Sequence, residues 1–171
     1  MSEHTLVVVC KQISSGLLLE QGGRPRVCRG MTDDTALKDF LAAHRHGVLA
    51  TIRRDGRPQL STITHHYDAE TGTIVASITE TRAKTKNMRR DPRVTYHVGS
   101  EDGWSYVVAE GRAELTAPAA SRDDETVEAL VDYYRRAAGE HPDWDEYRDA
   151  MVGDQRVLLT IHVEKLLGLV R

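Results

Sequence analysis

Val48-Leu-Ala-Thr-Ile52-Arg-Arg-Asp55-Gly56-Arg-Pro58-Gln59-Leu-Ser61-Thr-Ile63-Thr-His65-His66-Tyr67 is the stretch that decides the fold. Asp55-Gly56 is a strong hairpin signal, because both residues tolerate the positive φ that a tight turn between twisted strands demands. Residues 48–52 before it read as a short apolar strand. Residues 59–67 after it read as a second strand whose side chains alternate. Gln59, Ser61, Ile63, His65 and Tyr67 share one face, and Leu60, Thr62, Thr64 and His66 share the other. Strands joined by so short a turn run antiparallel.

Working outward, residues 68–72 form a turn and residues 73–79 a third strand rich in β-branched side chains. Residues 94–98 and 104–115 add two more strands around a loop at 99–103, and a last strand over 156–163 closes the chain near Leu169. The expectation is an antiparallel meander closed into a small barrel of six or seven strands. Helices flank it. Thr32-Asp33-Asp34 caps a helix with Leu37, Phe40, Leu41 and His44 on one face, and Gly47 suits its C-terminal cap. Asp123-Asp124-Glu125 opens a second helix that buries Val127, Leu130, Val131 and Tyr134 and ends at Gly139. A short third helix over 143–151 carries Trp144 and Tyr147. The class is mainly β with flanking helices, an α+β protein.

The chain has 171 residues, enough for one domain with its own core. Residues 31–171 read as that domain. Residues 1–30 are broken by Ser14-Ser15-Gly16 and by Gly22-Gly23-Arg-Pro25 and show no sustained periodicity. They read as a disordered N-terminal extension or a mis-assigned start, with a short extra strand as the competing reading. A net charge of −3 argues against a general nucleic-acid binder. Cys10 and Cys28 are too few and too far apart for a zinc site or disulfide framework, which points to a reducing cytoplasm. No apolar run approaches the roughly 20 residues of a membrane span. The expectation is a cytoplasmic protein with no nucleic-acid partner and no membrane.

The second informative stretch runs Ser77-Ile-Thr-Glu-Thr-Arg82-Ala-Lys84-Thr-Lys86-Asn87-Met-Arg89-Arg90-Asp91-Pro92. A strand ends, the chain turns, and a brief helix opens with basic residues before Pro92 stops it. One reading is a solvated basic turn. The other is an anion site, where open N–H groups and the helix dipole join the charges of Arg82, Lys84 and Lys86. Lys84 and Asn87, three apart, can face one ligand. Gln59, Ser61 and Ser77 lie on nearby strands. This set can hold a phosphate and a flat polar ring, but it offers no nucleophile or general base, so no catalytic residue is assigned. Neighbouring His65 and His66 point to opposite faces and cannot share a metal. There is no Gly-x-Gly-x-x-Gly, Walker loop or Gly-x-Ser-x-Gly elbow. If the chain is an enzyme, a cofactor carries the chemistry.

Gly47-Val-Leu-Ala-Thr-Ile52, Asp55-Gly-Arg-Pro-Gln-Leu-Ser61, Arg82-Ala-Lys-Thr-Lys-Asn87 with Arg89-Arg-Asp-Pro92, and Asp102-Gly-Trp-Ser-Tyr106 together resemble the pyridoxamine 5′-phosphate oxidase-like flavin and deazaflavin oxidoreductases. The resemblance runs from about Thr32 to the C-terminus and is closest to the actinobacterial branch that uses coenzyme F420. It implies an FMN-binding split β-barrel, a homodimer with cofactor sites at the interface, and a small-molecule substrate. It implies that Arg82, Lys84 and Asn87 bind the cofactor's phosphate or acidic tail. Gln59, Ser61 and Ser77 would line the ring or its ribityl chain, and Trp104 would cover the site from the other subunit. Core packing remains the alternative for Trp104, and a solvent-facing role for Gln59 and Ser61. The arginine-containing C-terminal extension of true pyridoxamine 5′-phosphate oxidases has no counterpart after Val163, which argues against vitamin B6 oxidation. The function implied is an F420-dependent reductase that passes a hydride to a small electrophile. An FMN-dependent enzyme on the same barrel and a non-catalytic F420- or flavin-binding module are the rivals.

Overall fold

The computed structural model describes residues 34–171. The proposed extension over 1–30 and the Thr32-Asp33 cap lie outside the described residues. Helix α1 (Asp34–Ala43) is followed by β1 (His46–Ile52), β2 (Pro58–Thr64), β3 (His66–Asp68) and β4 (Thr73–Thr79). Then come α2 (Ala83–Arg90), β5 (Arg93–Gly99), β6 (Tyr106–Leu115), α3 (Glu125–Ala138), α4 (Trp144–Gly153) and β7 (Arg156–Leu169). The sheet has seven strands in the order β2-β1-β5-β6-β7-β4-β3, with antiparallel neighbours throughout.

This order corrects the simple meander. β1 pairs with β5 and β4 with β7, so two of the pairings join strands that do not follow one another in the chain. It also corrects the single second strand over 59–67. The chain breaks at His65, whose N–H donates to the Arg45 carbonyl instead of a ladder partner. The segment before the break pairs with β1 and the segment after it pairs with β4. One residue therefore links the two edges of the sheet, which can only happen if the sheet curls round on itself. The result is a split β-barrel. Ile63, His65 and Tyr67 are all buried, so the alternation runs through the break and hides it from the sequence.

Asp55-Gly56 lies in the expected hairpin, but only Gly56 takes a positive φ, at 81°, and the connection spans residues 53–57, so it is a longer loop than the turn with positive φ at both positions. Gly47 does not cap α1; it lies in β1, where an added Cβ would sit 2.6 Å from the Tyr96 ring and from the His97 carbonyl. α1 ends at Ala43 instead, and the His44 ring stacks on Phe40 and bonds its carbonyl. Asp124 caps α3 by accepting from the Val127 N–H, and Gly139 at φ 86° ends it. The barrel core gathers Leu41, Leu49, Ile74, Tyr96, Val98, Leu159 and Ile161, all fully buried. A second cluster around Val127, Leu130, Val131, Tyr147 and Met151 ties α3 to α4.

His65 is the one buried histidine among the described residues. Its Nε2 lies 3.2 Å from the Leu41 carbonyl and its Nδ1 2.8 Å from the Tyr96 hydroxyl. If Nε2 carries the proton and donates to Leu41, Nδ1 accepts from Tyr96, and the neutral ring satisfies every partner. Burial lowers the His65 pKa from 6.5 to about 4. The unfolded chain therefore binds a proton near pH 6.5 that the folded one refuses until about pH 4. Stability falls as pH drops through that window, by up to about 3 kcal/mol. Denaturant unfolding at stepped pH reads this directly. In His65→Phe, where Tyr96 can turn to the Ile63 carbonyl at 3.3 Å, the slope between pH 6.5 and 4 should flatten. An unchanged slope would assign the effect to other groups.

Candidate functional site

A cleft of about 770 Å³ opens between the β2 and β4 strands, the start of α2, and the α3–α4 pair. Of the residues singled out from the sequence, Gln59, Ser61, Ser77, Arg82 and Lys84 line it. Gln59 and Ser61 share the face of β2 that carries the core residue Ile63, whereas Ser77 lies between the core residues Ala76 and Ile78 on the opposite face of β4, so the cleft gathers them from different faces of the sheet. The turn after Thr79 then delivers Arg82 and Lys84 to its rim.

Arg82 occupies the N-cap position of α2 and makes no side-chain capping bond. A guanidinium has no acceptor to offer the first-turn N–H groups, so the helix opens without the usual Ser, Thr or Asp cap. Neither Arg82 nor Lys84 has a carboxylate partner among the described residues. Burial holds the Lys84 pKa below that of a free lysine, and the charges of Arg82 and Arg156 lower it further. Like charges held together at an uncapped helix start are mutually unfavourable until an anion arrives.

The Ser61 hydroxyl is buried and has no hydrogen-bond partner among the described residues, an uncommon state for a polar atom in a folded protein. Beside it, Gln59 is held firmly. Its Oε1 accepts from the Thr51 hydroxyl at 3.0 Å, and its Nε2 donates to the Leu60 carbonyl at 2.8 Å. Thr51 in turn accepts from the Asn87 amide at 3.1 Å. With its carbonyl committed, the Gln59 amide has a second N–H to give a ligand.

Asn87 and Trp104 stand elsewhere. Asn87 is buried against β1, so it acts on Gln59 through Thr51 and does not line the cleft. Trp104 is neither core nor cleft: it is 64% exposed, with the Arg171 guanidinium 5.4 Å from its ring centre. It rides a turn fixed by Asp102, which accepts from the Ser100 hydroxyl and the Trp104 N–H.

Sequence reasoning missed the opposite wall. Tyr133, Tyr134, Tyr147 and Met151 come from α3 and α4, and Arg156 from the first residue of β7. The Tyr134 and Tyr147 rings meet edge to face at 5.1 Å. Tyr147 donates to the Leu130 carbonyl, and burial raises its pKa to about 12. The adjacent tyrosines at 133 and 134 were the available signal, since one helical stripe cannot bury both.

The cleft thus offers a cationic rim, an unpaired buried hydroxyl, a fixed amide donor and an aromatic wall. These features fit a group with a phosphate at one end and a flat polar ring at the other. Among the described residues no carboxylate or histidine lines the cleft. Among the described residues no helix is long and apolar enough to cross a membrane.

Solved structures share this architecture. A conserved hypothetical protein of Mycobacterium tuberculosis is 28% identical, with 80% of this chain and 84% of its own covered and a TM-score of 0.62. An F420 reductase is 21% identical, with coverages of 76% and 94% and a TM-score of 0.57. A FAD-binding protein of Mesorhizobium loti is 22% identical, with coverages of 80% and 92% and a TM-score of 0.57. At their identities the last two speak to the fold alone. The sequence pattern of the pyridoxamine 5′-phosphate oxidase family matches residues 33–169, which takes in every helix and strand from α1 to the end of β7. The chain belongs to the pyridoxamine 5′-phosphate oxidase family.

Proposed function

We propose that this chain is an oxidoreductase that holds a phosphate-bearing flavin-type cofactor in the cleft and reduces a small electrophilic molecule. Coenzyme F420 is the leading cofactor and FMN the second. The observation that carries the reading is the α2 start: an uncapped helix N-terminus with Arg82 and Lys84 beside it and no carboxylate among the described residues to neutralise them. An F420 reductase and a FAD-binding protein share this fold, so both kinds of cofactor have precedent on it.

Such a cofactor, when bound, supplies the hydride chemistry. The chain's own residues bind and orient. Arg82, Lys84 and the first N–H groups of α2 take the phosphate. Gln59 donates its free amide N–H, and Ser61 supplies the unpaired hydroxyl. Tyr147 stays protonated at any physiological pH and is a poor acid, so the proton that accompanies reduction comes from solvent or substrate. On the same reading a second copy of the chain covers the exposed Trp104, Tyr106 and Leu169, giving a cytoplasmic homodimer.

Titration of the purified protein with F420 and with FMN, in separate experiments, tests the cofactor. Micromolar or tighter F420 binding with weaker FMN binding is the expected result. Preference for FMN would move the assignment to the flavin. Tight binding without turnover of activated alkenes and quinones would favour a binding module over an enzyme.

A further inference from the structure

Arg156 lines the cleft together with Arg82 and Lys84. It starts β7 opposite Thr79 and reaches back along β4. Its Nε donates to the Ser77 hydroxyl at 3.0 Å. One terminal nitrogen donates to the Thr79 hydroxyl at 3.2 Å, and the other to the Ser77 carbonyl at 3.3 Å. These bonds use three of the five N–H groups of a guanidinium, so two remain, one on each terminal nitrogen. All three partners are neutral. Arg156 has no carboxylate among the described residues, although it is half-buried. An arginine clamped in one orientation and left without a counter-ion is arranged to receive an anion.

Its location says which end of the ligand that anion occupies. The Arg156 charge disfavours protonation of Lys84 on one side. On the other it eases ionisation of Tyr133 and Tyr147, against the burial that raises both. It therefore stands between the basic rim and the aromatic wall. Tyr134 and Tyr147 lock each other edge to face, and Met151 packs below them, so that wall is apolar and preformed.

We propose that Arg156 is a second oxyanion-binding point of the cleft, placed so that a flat conjugated substrate lying against Tyr134 and Tyr147 sets a carboxylate on its guanidinium. This rests on the cleft being the ligand site described above. It adds a substrate class: conjugated, planar and anionic, with the anion apart from the cofactor's phosphate.

The test uses the full chain without added cofactor, with trans-cinnamate as probe and cinnamamide as its neutral counterpart, followed by calorimetry. Wild type should bind cinnamate more tightly than cinnamamide, on the order of ten-fold or more. Arg156→Gln should abolish the preference. Arg156→Lys should keep part of it, since the charge survives and the fork does not. Lys84→Ala should leave it in place. No preference in wild type, or one that survives Arg156→Gln, overturns the proposal. Equal loss in Lys84→Ala also overturns it, because the cleft would then hold a single undivided anion patch. Thermal melts check that each variant folds. If Arg156→Gln does not fold, the Arg156→Lys comparison decides, and an undiminished preference there sinks the idea. F420 and FMN titrations run separately, so failure to bind either cofactor would refute that reading while leaving the cinnamate result to judge Arg156.

Discussion

Replacing Arg82 and Lys84 together by alanine is expected to raise the Kd for the cofactor a few hundred-fold, about 3–4 kcal/mol, with little change in folding stability. Lys84→Ala alone should cost about 1.5–3 kcal/mol, the range for one charge-assisted contact. Arg82 adds less because it is more exposed in the free chain. The stability half of the prediction separates a ligand site from a structural one. Neither side chain has a carboxylate partner among the described residues, and the two repel each other, so removing both relieves strain that folding must otherwise carry. Isothermal titration reads the affinity and denaturant unfolding reads the stability. Unchanged affinity for both cofactors would mean that the basic turn is a solvated face, and the proposed function would lose its main support.

That turn was legible because every signal for it is local. A strand end, basic residues and Pro92 within one short stretch announce a helix start, and the helix appears at Ala83–Arg90. The hairpin at Asp55-Gly56 and the faces of α1 and α3 were legible for the same reason. What stayed hidden depends on partners distant in sequence. Nothing in residues 73–79 says that β7 will lie beside them, so Arg156 could not be placed next to Ser77. Spacing put Lys84 and Asn87 on one face of α2 but not what that face meets. At Lys84 it meets the cleft; one turn on, at Asn87, it meets Thr51 of β1. The break at His65 was invisible because burial alternates straight through it. For Trp104 the structure removes one of the two readings, core packing. A turn pinned by Asp102 holds it in solvent, where the proposed second subunit would cover it.

Gly111→Ala is expected to destabilise the fold by at least about 3 kcal/mol, above the usual range for over-packing. Gly111 lies in β6 at a register irregularity: Glu110 pairs with Lys165 while Gly111 pairs with Val163, so β7 carries one residue more than β6 there. The bulge presses the two backbones together. An added Cβ would stand 2.2 Å from the His162 carbonyl oxygen and 3.0 Å from its carbon. Both are backbone atoms, so no side-chain rotation relieves the clash; the ladder must open or β7 must slide. Sliding matters for function because residues 156–162 of β7 also pair with β4, and Arg156 is positioned by that pairing. The variant should therefore lose the cinnamate preference attributed to Arg156 under conditions where it still folds, while the cofactor's phosphate contacts at α2 persist. Denaturant unfolding measures the first effect and calorimetry the second. A loss of stability below about 1 kcal/mol would show that the bulge opens freely. The rigidity of the β6–β7 ladder would then not be what holds Arg156 over Ser77.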